Sequence, residues 1–113
     1  MACAFALSGP VLAQDGALEL AQARQAVEKA TQADADQYAP DLIAVARQGL
    51  EQAQAAAGDR RERKNVPVLA ARATVDADLA RARSEEATAM AQLQLHRNEV
   101  TQLERQLATP EGR

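Results

Sequence analysis

The chain has 113 residues and a formal net charge of −3 at pH 7, with acidic and basic residues interspersed along its length. Aromatic residues make up 2% of the sequence and there is one histidine, so the composition argues against nucleic-acid binding and against a histidine-rich metal site. Alanine supplies about half of the hydrophobic residues, and a buried methyl group stabilises a fold far less than a buried leucine does. We therefore expect one all-α domain with a thin, alanine-lined core.

The first 13 residues, MACAFALSGPVLA, are uncharged, mostly apolar and typical of the later part of a secretory signal peptide. The positively charged opening region is missing, so we expect a truncated signal peptide at 1–13 and a periplasmic protein; a disordered cytoplasmic tail is the alternative. The apolar run is too short to span a membrane. Cys3 would be the attachment point of a lipid anchor, but the apolar run continues beyond it, which favours a cysteine that is simply cleaved off. The helical domain is expected at 14–108, and a disordered tail at 109–113.

The next segment predicts two short helices joined by a turn. Helix one is expected over 17–36 and helix two over 40–57, because each carries apolar residues at helical spacing. Pro40 suits the first position of a helix and pushes the residue before it out of the helical region. Gly49 lies inside the second helix, which suggests that another backbone comes close there. The turn between the helices is formed by Gln37, Tyr38, Ala39 and Pro40, with Tyr38 covering the thin core.

A polar loop with four basic residues is predicted between helix two, which Gly58 is expected to cap, and helix three. Such a run is usually a solvated connector, and its alternative role is contact with anionic lipid headgroups, lipopolysaccharide phosphates or an acidic partner. The residues that would make this contact are Arg60, Arg61, Arg63 and Lys64.

The third helix is predicted to be the longest, from Pro67 to Ala108, or roughly 60 Å at 1.5 Å per residue. We expect the two shorter helices to pack as an antiparallel hairpin against its first half, where two apolar rows lie side by side, while its second half projects. One row, which we call the seam, follows a heptad spacing. It consists of Val68, Arg72, Val75, Leu79, Ala82, Glu86, Ala89, Leu93, His96, Val100, Leu103 and Leu107.

In the second half the seam narrows to the width of a coiled-coil contact, formed by Leu93, His96, Val100, Leu103 and Leu107. In a parallel pair His96 would face its counterpart, so that protonation would weaken association. The alternative is a histidine at the edge of the stripe with its ring in water.

Across residues 17–89 the chain resembles an uncharacterised family of alanine-rich bacterial envelope proteins, a domain of unknown function. The resemblance lies in the alanine rhythm, in Leu79 with Ala80, and above all in the segment Gln37-Tyr38-Ala39-Pro40. It implies an exported periplasmic or lipid-anchored protein. The basic run 60–64 and Pro67 depart from the family's short connector, so the start of helix three is not fixed by the resemblance.

No constellation of catalytic residues is evident, and carboxylate pairs such as Asp76 with Asp78 lie on a helix expected to be solvated. We therefore expect neither an enzyme nor a bound cofactor or metal. The leading hypothesis is a structural or interaction protein of the cell envelope that associates with itself or with another envelope protein through the seam. A module that binds peptidoglycan or anionic lipid through the basic loop is the alternative.

Overall fold

The structure, a computed structural model, describes residues 16–109, and every regular element in that part of the chain is helical. The all-α prediction is confirmed. Helix α1 spans Ala17–Gln32, α2 spans Ala35–Tyr38, α3 spans Pro40–Gly58 and α4 spans Val66–Ala108, with a 3₁₀ turn at Arg63–Asn65 before α4. The predicted signal peptide at 1–13 and all but Thr109 of the predicted tail lie outside the described residues.

The hairpin of α1 and α3 packs against the N-terminal half of α4, and both helices contact α4 more extensively than they contact each other. The core consists almost entirely of alanine methyl groups contributed by all four helices. Ile43, Val66 and Ser84 are the largest side chains that are fully buried. Because alanine is small, the helices come close together. A cluster of Ala26, Ala46 and Ala77 joins α1, α3 and α4 at one level.

Gly49 of α3 marks the predicted close approach of another backbone. A Cβ atom built at Gly49 would lie 3.3 Å from the Cβ of Ala73 on α4, which is tighter than an ordinary van der Waals contact. The glycine therefore accommodates the backbone of α4, and its helix-propensity cost of about 1 kcal/mol relative to alanine is offset by closer packing.

The face that α4 turns to the hairpin differs from the prediction. The hairpin was expected to cover both apolar rows of the first half, whereas the seam residues Val68, Val75 and Leu79 are exposed. The buried row is displaced from the seam by two residues, which at 3.6 residues per turn is about 200° around the helix. It consists of Val66, Ala70, Ala73, Ala77, Ala80 and Ser84. The first half of α4 is therefore covered on one face only.

Helix one ends earlier than predicted. It was expected to reach Asp36, but α1 ends at Gln32, and Asp34 takes a left-handed conformation with φ of 61°. The hydroxyl of Ser84, which is fully buried on α4, donates a hydrogen bond to the carbonyl of Ala33. This carbonyl follows the end of α1, where the helix can no longer satisfy it. The chain then forms the short helix α2 before Pro40 opens α3, as the sequence predicts.

Candidate interaction surface on the projecting half of α4

The C-terminal half of α4 projects beyond the hairpin. The last fully buried residue on the helix is Ser84, and every residue from Ala89 to Thr109 is exposed to solvent. The helix has 43 residues, so it extends over roughly 65 Å, and the described chain covers only its first half. In proteins most of the stability of a helix comes from tertiary packing of one of its faces. Within the described chain the projecting half of α4 lacks such packing, because all of its residues are exposed.

Large aliphatic side chains form an exposed row on this half. Leu93, Val100 and Leu103 are each about half exposed, and Leu107 is 87% exposed. His96 belongs to the same row, where its Nδ1 lies 3.3 Å from Oε2 of Glu99 on the next turn. The predicted interaction residues thus lie on one face of a solvent-exposed helix. Their role in binding stays a prediction.

The exposed apolar row continues along the first half of α4. Val68 is 72% exposed, Val75 66% and Leu79 44%, and all three lie on the face opposite the hairpin. This exposure was not expected from the sequence, which predicted that the hairpin would cover the seam. The seam therefore lies at the solvent surface from Val68 to Leu107.

The opposite face of the projecting half is polar. The heptad positions that are buried in the first half are occupied further along by Ala87, Ala91, Gln94, Asn98, Thr101, Arg105 and Ala108. Gln94 Nε2 donates to Oδ1 of Asn98 at 3.1 Å, so these side chains pair with each other along the helix. The face that packs against the hairpin thus becomes hydrophilic where the hairpin ends, and the aliphatic residues of the second half concentrate on the seam.

The basic loop lies at the other end of α4. Its four cationic side chains are exposed, and within residues 16–109 none of them lies within ion-pairing distance of a carboxylate. Asp59 orders the backbone, because its side chain accepts a hydrogen bond of 2.9 Å from the N–H of Arg61 and its carbonyl accepts from Glu62 and Arg63. From Lys64 to Leu93 the helix rises by roughly 40 Å. The loop and the projecting seam are therefore independent surfaces.

The segment 37–40 forms a structural junction. Gln37 and Tyr38 end the short helix α2, Ala39 is buried, and Tyr38 is 38% exposed. The junction is tied to α3 by Arg47, whose guanidinium donates to both carboxylate oxygens of Asp36 at 2.5 and 2.9 Å and to the hydroxyl of Thr31. The hydrogen bond from Arg47 holds the pKa of the Asp36 carboxyl below its ordinary value. These contacts brace α3 against α2 and the end of α1.

Within residues 16–109 no group of three or more histidine, cysteine, aspartate or glutamate side chains is placed to hold a metal ion. In the same range no helix combines the length and apolar character that a membrane-spanning segment requires. An open groove of ≈ 540 Å³ lies where α1 ends against α4, lined by exposed polar side chains such as Lys29, Gln32 and Glu85. The seam differs from an ordinary solvated helix face because it exposes a row of aliphatic side chains.

The sequence profile of a domain of unknown function, DUF4398, matches residues 18–95. The chain belongs to the DUF4398 family. The match confirms the resemblance to an uncharacterised family, and it runs from the start of α1 into the projecting half. Leu93 lies inside the matched part of this DUF4398 chain, whereas the rest of the projecting seam, from His96 to Leu107, lies beyond it. Comparison with curated proteins and with solved structures found no match.

Proposed function

We propose that this DUF4398 chain is a non-catalytic structural or interaction protein of the bacterial cell envelope, and that it associates through a coiled coil formed by the projecting half of α4. The partner is a second copy of the chain or another envelope protein. The periplasmic address rests on the apolar segment 1–13 and on the resemblance to exported proteins.

One observation carries the proposal: a row of half-exposed leucine and valine side chains lies on a helix that the described chain leaves uncovered. Burying the exposed part of each of these side chains would contribute on the order of 1 kcal/mol. Four such side chains per helix supply enough apolar surface for a coiled-coil contact, which needs only aliphatic residues at heptad spacing. Pairing would also supply the packing that this half of the helix lacks.

Two leucines on the projecting half give a matched test. Leu103 lies on the seam and is 57% exposed, whereas Leu95 lies off the seam and is 61% exposed. Leu103→Asn should weaken association strongly, and Leu95→Asn should leave it unchanged, because only the first removes a contact. Light scattering coupled to size exclusion, over a concentration series of the full chain, measures the mass of each variant. The double variant Val100→Asn and Leu103→Asn should be monomeric throughout.

Equal behaviour of the two leucine variants would contradict the proposal, because it would show that exposure alone, and not position on the seam, governs association. A wild-type chain that is monomeric at every concentration would exclude self-association and leave only a different envelope protein as the partner.

The exposed cations of the basic loop favour a second candidate function, binding of peptidoglycan or an anionic lipid surface. Within the described chain the loop has a surplus of positive charge with no carboxylate partner. The test variant replaces Arg60, Arg61, Arg63 and Lys64 by Gln. The control replaces Arg24, Lys29, Arg97 and Arg105 by Gln, which removes the same charge from exposed positions elsewhere.

Both variants would be sedimented with phosphatidylglycerol vesicles and with isolated peptidoglycan. Loss of co-sedimentation in the loop variant alone would support this second function, whereas equal loss in both would indicate a general effect of net charge. Because the loop is roughly 40 Å from the projecting seam, the Leu103→Asn variant should keep full binding in this assay.

A further inference from the structure

The residues on and beside the exposed seam of α4 predict the orientation and register in which two copies would pair. Seam positions alternate every three and four residues, so in a coiled coil they form the core layers, and the residues beside them form the flanking contacts. We propose that a second copy of this chain covers the seam in antiparallel orientation, in the register that places Val100 against Ala89 of the second copy. This inference rests on the proposed function, since it specifies the partner and the arrangement of that same surface.

This register has four distinct core layers, and two of them pair a large side chain with a small one. Val100 faces Ala89 of the second copy, and Leu107 faces Ala82, so that each large residue fills the space left by an alanine. Leu93 faces His96, an apolar side chain against the face of a ring. By the two-fold symmetry of a dimer each of these layers occurs twice.

The remaining layer places Leu103 against Glu86. The Glu86 carboxylate is held at the edge of the helix, where Arg83 Nη1 donates to its Oε2 at 3.0 Å, and the Glu86 side chain is 56% exposed. The stem of Glu86 can therefore cover part of Leu103 while the charge stays in water.

The flanking charges of the register are complementary. In an antiparallel pair Arg83 lies beside Glu104 of the second copy, and symmetry creates this opposite-charge contact twice. The other flanking contacts join a charged residue to a neutral one. They are Glu85 with Gln106, Gln92 with Glu99, and Met90 with Arg97.

The nearest alternative registers with the same kind of core layers bring like charges together. Shifting the antiparallel pair by one heptad in one direction places Arg97 beside Arg97 and Glu99 beside Glu99 of the second copy. Shifting it in the other direction places Arg83 beside Arg97 and Glu99 beside Glu85. Like charges at flanking positions of a coiled coil oppose pairing, so both registers are disfavoured.

More distant antiparallel registers are also less favourable. A shift of two heptads towards the hairpin places Asp78 beside Glu99 of the second copy, and this like-charge contact offsets the opposite-charge contact of Asp76 with Arg97. A shift of two heptads towards the C-terminus keeps complementary charges, but the overlap shrinks to His96–Leu107. The proposed register overlaps from Ala82 to Leu107, roughly 39 Å of helix.

A parallel pair in register also places like charges together. Glu99 would lie beside Glu104 of the second copy on both sides of the coiled coil, and Glu86 would face Glu86 in the core. The antiparallel register avoids each of these contacts. It also keeps the two hairpins apart, because each hairpin packs on the face of α4 opposite the seam.

Charge reversal tests the arrangement. Arg83→Glu and Glu104→Arg each place two like charges side by side, and each should raise the dissociation constant of the dimer on the order of tenfold. The double variant should restore it, because the opposite-charge contact is rebuilt with its signs exchanged. A parallel pair predicts the opposite sign for Glu104→Arg, which would then tighten the dimer by removing the contact with Glu99. Far-UV circular dichroism checks that each variant stays helical.

Cysteine pairing supplies an independent geometric readout. In chains that carry Cys3→Ser, a mixture of the Ala89→Cys and Val100→Cys variants should form a disulfide-linked heterodimer under mild oxidation. Val100→Cys alone should not cross-link, because its two copies would lie 11 residues out of line, or roughly 16 Å apart along the helix.

The antiparallel register and self-association through the seam are contradicted by different results. A wild-type dimer in which Val100→Cys links to itself would overturn the antiparallel register while leaving association through the seam intact. A double charge variant as weak as the single variants would also overturn the register. A wild-type chain that stays monomeric up to the highest concentration would overturn the register and self-association together.

Discussion

Ala77 tests whether the fold depends on close approach of the helices through alanine. It is fully buried on α4, and it packs against Ala26 of α1 and Ala46 of α3. Ala77→Leu would add three carbon atoms where two other helices already meet, so the helices must separate. Overpacking of this kind costs about 2 kcal/mol, although the substituted residue is more hydrophobic. For a domain of this size that lowers the melting temperature by roughly 10 °C.

The matched control is Ala71→Leu on the same helix, α4. Ala71 is exposed, and leucine forms helices nearly as well as alanine, so this variant should stay within about 0.5 kcal/mol of the wild type. Thermal unfolding followed by far-UV circular dichroism measures both. An Ala77→Leu variant that melts within about 2 °C of the wild type would refute the close packing inferred from the alanine clusters.

Other side chains give further tests of the fold, each measured by urea or thermal unfolding. Ser84→Ala leaves the carbonyl of Ala33 without its hydrogen-bond donor and should cost about 1–3 kcal/mol, whereas no loss would mean that water replaces the hydroxyl. Ile43→Ala removes one of the largest fully buried side chains and should cost about 2–5 kcal/mol; a cost below about 1 kcal/mol would show that the core does not depend on it. Arg47 lowers the pKa of Asp36 from its ordinary value of 3.8, so the stability from this pair is present above that value and is lost as the pH falls through the lowered pKa. Arg47→Gln should therefore lose less stability than the wild type on acidification below about pH 4. Equal losses of stability in the variant and the wild type would contradict the pairing.

The sequence predicts the positions of the helices better than it predicts which face of each helix is buried. Pro40 opens α3 and Gly49 meets another backbone, as expected, because proline and glycine act locally. The face that α4 turns to the hairpin was predicted wrongly. Its two faces both carry apolar rows at heptad spacing, and the seam has the larger side chains. The hairpin takes the alanine row, because its own buried residues are mostly alanine and small side chains on both sides allow the closest packing.

The break at the end of α1 was not predictable from local propensity. Residues 33–36 are compatible with a continuous helix, and the interruption is accompanied by a hydrogen bond from Ser84, 51 residues away in the sequence. A signal for this contact does exist in the sequence, since Ser84 is the one polar residue in a buried row of α4 that otherwise consists of Val66 and alanines. The brace between Arg47 and Asp36 was missed for the same reason, because it joins two helices across the junction.

The candidate site was predictable in part. The identity of the residues from Leu93 to Leu107 follows from the heptad spacing alone, and the structure places all of them on one exposed face. That the exposed row extends back to Val68 required the structure, because it depends on which face the hairpin leaves open. The extension matters for pairing, since it allows an overlap that reaches Ala82.

Hydrogen exchange of the full chain at several concentrations tests the central claim most directly, that the projecting half of α4 is completed by a partner through the seam. Amides of residues 70–84 should be protected at every concentration, because the hairpin covers them. Amides of residues 93–107 should exchange quickly in dilute solution and become protected as the concentration rises through the association range, since an uncovered helix of this length frays. Exchange of residues 93–107 that is equally fast at the highest concentration would contradict self-association through the seam.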